Sequence, residues 1–180
     1  MPVFHIDSTW TLFLDRDGVL NHRKMGGYIE SIEEFEFLPH VISGLKRLRP
    51  MFARIIIVTN QQGIAKGVYS LEQLDAIHQY MLLEFEKNGI HIDQIYVATN
   101  LKGDINDRRK PHSKMGIEAK LDFPEIDFRK SIMVGDTDSD IEFGTKLGMK
   151  TVLIKSEERV LHNSDLYVNN LIELANEIQI

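Results

Sequence analysis

Short apolar runs alternate along this chain with longer stretches of helical period. The runs fall at residues 10–14, 54–58, 94–97, 131–134, 151–154 and 166–168. Ile55, Ile56, Ile57 and Val58 are apolar without a break, which suits a strand buried on both faces. The clearest helix is predicted over residues 71–88. Ser70 and Gln73 form a capping-box pattern before it, and Leu74, Ile77, Met81 and Phe85 recur at helical spacing. Gly89 stands where a left-handed C-cap belongs. His78 falls within this helix and reads as a structural residue. Shorter helices are predicted over 39–49, with Val41, Leu45 and Leu48 on one face, and over 139–147, ended by Gly148. A last helix is predicted over 170–178, with Leu171, Leu174 and Ile178 inward.

Strands alternating with helices predict parallel β/α units. The expected fold class is therefore α/β, a Rossmann-like three-layer sandwich with a mostly parallel central sheet. Residues 21–38 fit neither period and read as a flap or extended loop. No connection is long enough for an inserted domain of ordinary size. Residues 1–180 are thus expected to form a single domain whose active site is covered by loops alone.

Composition narrows the possibilities. Hydrophobic residues make up 43% and charged residues 27% of the 180 positions, an ordinary globular balance. There is no cysteine, which removes disulfides and cysteine-ligated metal sites and fits a reducing compartment. The N-terminal residues lack the pattern of a signal peptide, and no apolar stretch approaches the roughly 20 residues needed to span a bilayer. A cytoplasmic protein without membrane partners is expected. The net charge of −6 disfavours a general nucleic-acid binder. Oligomeric state is left open.

Four clusters that follow predicted strands carry candidate chemistry. In an open parallel sheet, ligands bind beyond the carboxyl ends of the strands, so these clusters should meet at one edge. The first is Asp15-Arg16-Asp17-Gly18-Val19-Leu20-Asn21. Carboxylates at i and i+2 point the same way in extended chain. At about 4 Å they repel by roughly 4 kcal/mol at an effective dielectric of 20. A cation relieves this, and Mg²⁺ prefers carboxylate plus phosphate oxygens. The second, Val58-Thr59-Asn60-Gln61-Gln62-Gly63-Ile64, offers a hydroxyl and backbone N–H groups to a phosphate. The third, Arg108-Arg109-Lys110-Pro111, is a local basic run in an acidic chain, suited to anion capture. The fourth, Val134-Gly135-Asp136-Thr137-Asp138-Ser139-Asp140, ends a strand on a carboxylate that can complete a metal site. Asp138 or Ser139 is suited to cap the following helix, and Asp140 either orients its neighbours or lies on solvent.

Taken singly, each cluster also reads as an ordinary turn. In order, they resemble the four motifs of the haloacid dehalogenase (HAD) superfamily, over residues 10–174. Asp-Arg-Asp-Gly-Val-Leu-Asn, Thr-Asn-Gln-Gln-Gly-Ile-Ala-Lys-Gly and Arg-Lys-Pro-His resemble more closely its histidinol-phosphatase and heptose-1,7-bisphosphate-phosphatase branch, subfamily IIIA. That branch typically lacks a large cap domain. The resemblance implies a Mg²⁺-dependent phosphatase working through an aspartyl-phosphate on a small phosphorylated metabolite, in first place a sugar phosphate or bisphosphate. It implies Asp15 as nucleophile and metal ligand, and Asp17 as general acid/base and metal ligand through its backbone carbonyl. Thr59 and Lys110 would hold the phosphoryl group, Asp136 would complete the metal site, and Asn60, Gln61, Lys66 and Arg109 would bind substrate. His22 and His112 are further candidates for substrate contact.

The chain departs from the branch in places. Many members carry a structural zinc on three cysteines and a histidine. Here Asn106 and Arg108 occupy the positions of the final Cys-x-Cys, and Ala98-Thr99-Asn100 those of the earlier Cys-x-His, so no structural zinc is expected. The loop at 101–109 must be held otherwise, and an ion pair of Asp104 or Asp107 with a nearby arginine is the expectation. Thr137 replaces a residue that is often basic, and Ser113-Lys114 replaces Pro-Gly. The competing readings are a histidinol-phosphate phosphatase, a polynucleotide 3′-phosphatase, and a non-catalytic phosphate-binding or receiver-like signalling domain.

Overall fold

The computed structural model describes residues 4–180. Its strands are β1 (Phe4–His5), β2 (Thr11–Leu14), β3 (Arg54–Asn60), β4 (Gln94–Ala98), β5 (Ser131–Gly135), β6 (Lys150–Ile154), β7 (Leu166–Val168) and β8 (Ile178–Gln179). Its α-helices are α1 (Val41–Leu48), α2 (Leu71–Lys87), α3 (Lys114–Asp122), α4 (Asp138–Leu147) and α5 (Leu171–Asn176). Six strands form a parallel sheet in the order β4-β3-β2-β5-β6-β7. The sheet carries helices on both faces, which is the expected three-layer arrangement.

The unbroken apolar strands explain the layering. Side chains alternate between faces along a strand. Leu12, Leu14, Ile55, Ile57, Ile132 and Val134 point into one core with the apolar faces of α1, α2 and α5. Phe13, Ile56, Val58 and Met133 point into the other, against Met115 and Ala119 of α3 and Phe143 of α4. A sheet covered on both sides needs apolar residues on both faces of its strands, and the central positions of β2, β3 and β5 supply them.

The capping box of α2 forms as expected: the Ser70 hydroxyl accepts from the Gln73 N–H at 3.2 Å, and the Gln73 side chain accepts from the Ser70 N–H at 2.8 Å. Strands β1 and β8 and helix α3 lie outside the elements that the pattern predicts. The final helix stops at Asn176, and Ile178 lies in β8, which pairs in parallel with β1. Helix α3 is absent from the periodicity reading because Lys114-Met-Gly-Ile-Glu-Ala-Lys presents little apolar contrast around its circumference.

From β2 the chain builds outward through β3 to β4, then returns to add β5, β6 and β7 on the other side. The direction of winding therefore reverses between β2 and β5, the switch point where such sheets open a crevice. Asp15 and Asp136 follow these two strands, and the Asp15 N–H donates to the Val134 carbonyl at 3.0 Å. The segment between β2 and α1 runs over this edge as a loop with one 3₁₀ turn at Ile32–Glu34. Bridges of Asn21 to Asp17 and to Phe37 pin its base.

Candidate active site

Asp15, Asp136 and Asp140 are buried and bring carboxylate oxygens within 4.8 Å of one another. Lys110 stands among them, its Nζ 2.9 Å from Asp15 and 2.5 Å from Asp140. Burial alone would lower the lysine, but Asp140 and Asp15 hold its ammonium above its usual range. Burial, and then Asp140, pushes Asp15 up to about 6. Burial and the Asp15 charge push Asp136 up to about 7. These carboxylates are short of positive charge.

The three are not equivalent. Asp140 Oδ1 accepts from Lys110, while its Oδ2 accepts from the N–H groups of Asp136 and Thr137 and from the Thr137 hydroxyl. Both oxygens are occupied, so Asp140 anchors the lysine and the turn. It lies on neither solvent nor the cavity wall. Asp138 and Ser139 do not cap α4; Thr137 does, and Asp138 instead accepts from the N–H groups of Leu161 and His162. Asp15 takes its contacts from Lys110 and the Arg16 N–H on Oδ1. Asp136 Oδ1 accepts from Arg23 at 2.9 Å, while Oδ2 is buried without a partner. An orphaned buried carboxylate oxygen beside a second carboxylate fits a hard divalent cation. Two glycines permit this closeness. A Cβ on Gly18, at φ +88°, would lie 2.1 Å from Asp136 Oδ2, and one on Gly135 would lie 2.0 Å from Asp140 Cβ.

Asp17 sits apart from the three and is held differently. Arg16 Nη2 donates to its oxygens at 2.8 and 3.0 Å, Asn21 Nδ2 to Oδ1 at 2.9 Å, and Gln61 Nε2 to Oδ2 at 2.9 Å. Burial would raise its pKa, but the Arg16 charge and these hydrogen bonds keep it below the usual range. Arg16 is itself fully buried, and its Nη1 lies 3.1 Å from His78 Nε2. His78, pushed down to about 3 by burial and by Arg16, is neutral and accepts there. Its structural role is thus to seat the arginine that holds Asp17.

Asn60 and Gln61, expected to bind substrate, spend their amides inside the protein. Asn60 exchanges hydrogen bonds with the Lys110 backbone at 2.8 and 3.1 Å. Gln61 donates to Asp17 and to the Thr59 hydroxyl, and accepts from Tyr69. Thr59 is fully buried behind it. These residues position the acidic and basic groups. Asn60, Gln61, Lys66 and Arg109 all line the cavity of about 620 Å³ that opens over Asp15 and Asp17, and Lys66 Nζ lies 5.6 Å from the Tyr28 ring centroid. His22 and His112 are not on its wall.

The loop at 101–109 is held without the expected aspartate–arginine pair. Asp107 is buried and accepts from the N–H groups of Gly103 at 3.0 Å and Arg109 at 2.8 Å. Asp104 accepts from the Leu101 N–H. Arg108 pairs instead with Glu118 of α3 and donates to the Val97 carbonyl. Backbone-directed carboxylates thus fix the register of Arg109 and Lys110.

Arg16, Arg23 and Asp140 are the residues that sequence reasoning left without a firm role. An arginine between two motif aspartates signalled the first; nothing in the sequence tied Arg23 to Asp136, which follows β5 more than a hundred residues on.

Comparison with known proteins bears on this arrangement. A HAD-hydrolase-like family profile matches residues 107–174. The D-glycero-alpha-D-manno-heptose-1,7-bisphosphate 7-phosphatase of Campylobacter jejuni is 36% identical over 168 residues, 93% of this chain and 95% of that one. The chain belongs to the HAD superfamily, in its heptose-bisphosphate and histidinol phosphatase branch. It is a phosphatase with the HAD-like Rossmann-type fold. A second branch member, the D-glycero-beta-D-manno-heptose-1,7-bisphosphate 7-phosphatase of Salmonella typhi, is 33% identical over 180 residues and covers 93% of this chain and 94% of its own. The fold superposes on a D,D-heptose 1,7-bisphosphate phosphatase from B. bronchiseptica, crystallised with magnesium and phosphate, with a TM-score of 0.85. That alignment covers 94% of this chain and 97% of the other at 24% identity. Among the described residues, no helix of this phosphatase is long and apolar enough to cross a membrane.

Proposed function

We propose that this protein is a Mg²⁺-dependent phosphatase that removes the 7-phosphate from a heptose 1,7-bisphosphate. It would act as one catalytic domain over residues 1–180 with a mouth covered by loops. The substrate assignment is carried by the near end-to-end match to relatives that bear that activity in their names. The cavity supports it: Arg109 and Lys66 line it beyond the Asp15 carboxylate, where a second phosphate has room. The substrate class and the absence of cysteine support a cytoplasmic location.

Asp15 and Asp136 would hold the cation through their carboxylates, with the Asp17 carbonyl beside them. When bound, Mg²⁺ would neutralise charge on the phosphoryl oxygens. Asp15 attacks phosphorus in line, and the bond to the sugar oxygen breaks as Asp17 protonates that oxygen. Asp17 next takes a proton from water, which attacks the phospho-aspartate and releases orthophosphate. Lys110 lines the cavity where it can meet the phosphoryl oxygens and supplies the protein's own share of charge stabilisation, while Thr59, buried behind Gln61, would reach them only if Gln61 turned aside. In its present bonds Asp17 is a carboxylate, the form needed for the second half. To act as acid it must take up a proton and loosen its contact with Arg16.

A phosphate-release screen in Mg²⁺ tests this reading. It would compare both anomers of the heptose bisphosphate, histidinol phosphate and a 3′-phosphorylated oligonucleotide, with Asp15→Asn as control. The bisphosphate should stand at least tenfold above the rest in kcat/KM and be silent in the variant. Preference for histidinol phosphate or the oligonucleotide would replace the substrate assignment.

A further inference from the structure

Arg23 reaches from the loop after β2 into the carboxylate cluster. Its Nη2 donates to Asp136 Oδ1 at 2.9 Å and to the Asp17 carbonyl at 3.3 Å. Its Nη1 lies 3.9 Å from Glu158, which also lines the cavity. Its Nε is buried without a partner. The guanidinium thus bonds the same carboxylate and the same carbonyl that the proposed metal site uses. Three buried carboxylates here face two cations, Lys110 and Arg23. Lys110 is fully buried and fixed by Asp15 and Asp140, whereas the Arg23 side chain is 30% exposed, and its loop neighbour Lys24 pairs with Glu30 and Glu34, away from the cluster.

We propose that Arg23 is a built-in competitor of the divalent cation: it neutralises Asp136 while the metal is absent, and metal binding displaces it and releases the loop at residues 23–27 from the cluster. The inference rests on the metal site proposed above. Two physical terms drive the exchange. A dication and a guanidinium on one carboxylate repel each other in a site of low dielectric. The Asp17 carbonyl also gains more from a metal bond than from a hydrogen bond at 3.3 Å. Because Arg23 to Gly27 line the cavity, freeing them loosens one wall of the path by which an ester reaches Asp15. Metal would then bind before substrate, and without it Arg23 would keep this wall tied to Asp136.

The test needs no turnover. Mn²⁺ is titrated into chelator-treated protein by isothermal calorimetry and electron paramagnetic resonance, for the wild type, Arg23→Ala, Arg23→Gln and Asp136→Asn. Both Arg23 variants should bind Mn²⁺ roughly tenfold tighter or more, the factor expected when a charge-assisted hydrogen bond no longer has to be broken. Asp136→Asn should lose the site. Hydrogen exchange across residues 23–27 should speed up on Mn²⁺ addition in the wild type and be fast with or without Mn²⁺ in Arg23→Gln. Wild-type binding of Mn²⁺ with equal or weaker affinity in both Arg23 variants overturns the inference alone. Failure of the wild type to bind overturns the metal reading and the inference together.

Discussion

The carboxylate cluster between β2 and β5 and the loop at residues 101–109 solve opposite problems. In the cluster, charge is concentrated and buried: Asp15 and Asp136 are held protonation-prone, at about 6 and 7, because burial strips them of water. In the loop, charge is scattered and turned onto the backbone. Burial would raise Asp107, but the N–H groups of Gly103 and Arg109 keep it below its usual range. The first region stores electrostatic tension that a cation and a phosphoryl group can relieve. The second removes tension so that Arg109 and Lys110 keep one register. Chemistry needs the former and specificity the latter, and Lys110 belongs to both, since its side chain enters the cluster while its backbone is clasped by Asn60.

Substitutions can break this contrast. The largest effect is expected from Asp15→Asn, which should lower kcat by roughly 10⁴-fold or more, as deletion of a nucleophile does elsewhere. Steady-state assays on the bisphosphate and on a small aryl phosphate should fall together, and near-wild-type turnover would overturn the mechanism. Asp107→Ala comes next. Losing the acceptor of two backbone N–H groups should reduce kcat/KM by about 10- to 100-fold, on the scale of an unsatisfied buried group. The loss should appear mainly in KM for the bisphosphate, and limited proteolysis should cut the loop faster. If kcat for the aryl phosphate fell as far, the loop would be part of the chemistry. Arg109→Ala is expected to cost about tenfold on the bisphosphate and to leave aryl phosphate hydrolysis within about threefold, the cost of one half-buried charge contact. Equal losses on both substrates would remove Arg109 from specificity.

His78 gives the mildest and most selective probe. Its pKa is about 3 in the fold, against about 6.5 for an unperturbed histidine. The unfolded chain therefore binds one more proton over that interval. Stability should fall as pH drops from about 6.5 toward 3, with a slope of up to about 1.4 kcal/mol per unit from this group. Asp15 and Asp136 work the other way in the metal-free protein: raised above the value of an unfolded aspartate, they add stability that is lost as pH rises through 6 to 7. Urea denaturation of His78→Gln against the wild type at pH 5 and 7 separates the two. The variant should show a smaller loss on acidification, and an unchanged difference would mean that His78 is not neutral against Arg16.

Much of this was legible in the chain. Ile55 to Val58 announce a strand buried on both faces; Thr59 lies at the carboxyl end of that strand, and Asp15 and Asp136 directly follow β2 and β5, so their meeting at one sheet edge comes from topology. What stayed hidden depends on partners. Asn60 and Gln61 line the cavity as candidate ligand-binding amides should, but only the structure shows that they also brace Lys110 and Asp17 with Thr59. Helix α3 lacks a marked apolar stripe, and β8 reads as the tail of a helix because its partner lies at the other end of the sequence.

That partner is Phe4, paired with Ile178, and both side chains are buried in the core on the α1 and α5 side of the sheet. Contacts that close almost the whole chain into one loop are among the costliest in entropy and form late. The β1–β8 pair is therefore a seam: the last stitch drawn when the protein folds and the first to slip. A label that senses separation between the two ends would report the opening of this molecule before its catalytic edge is disturbed.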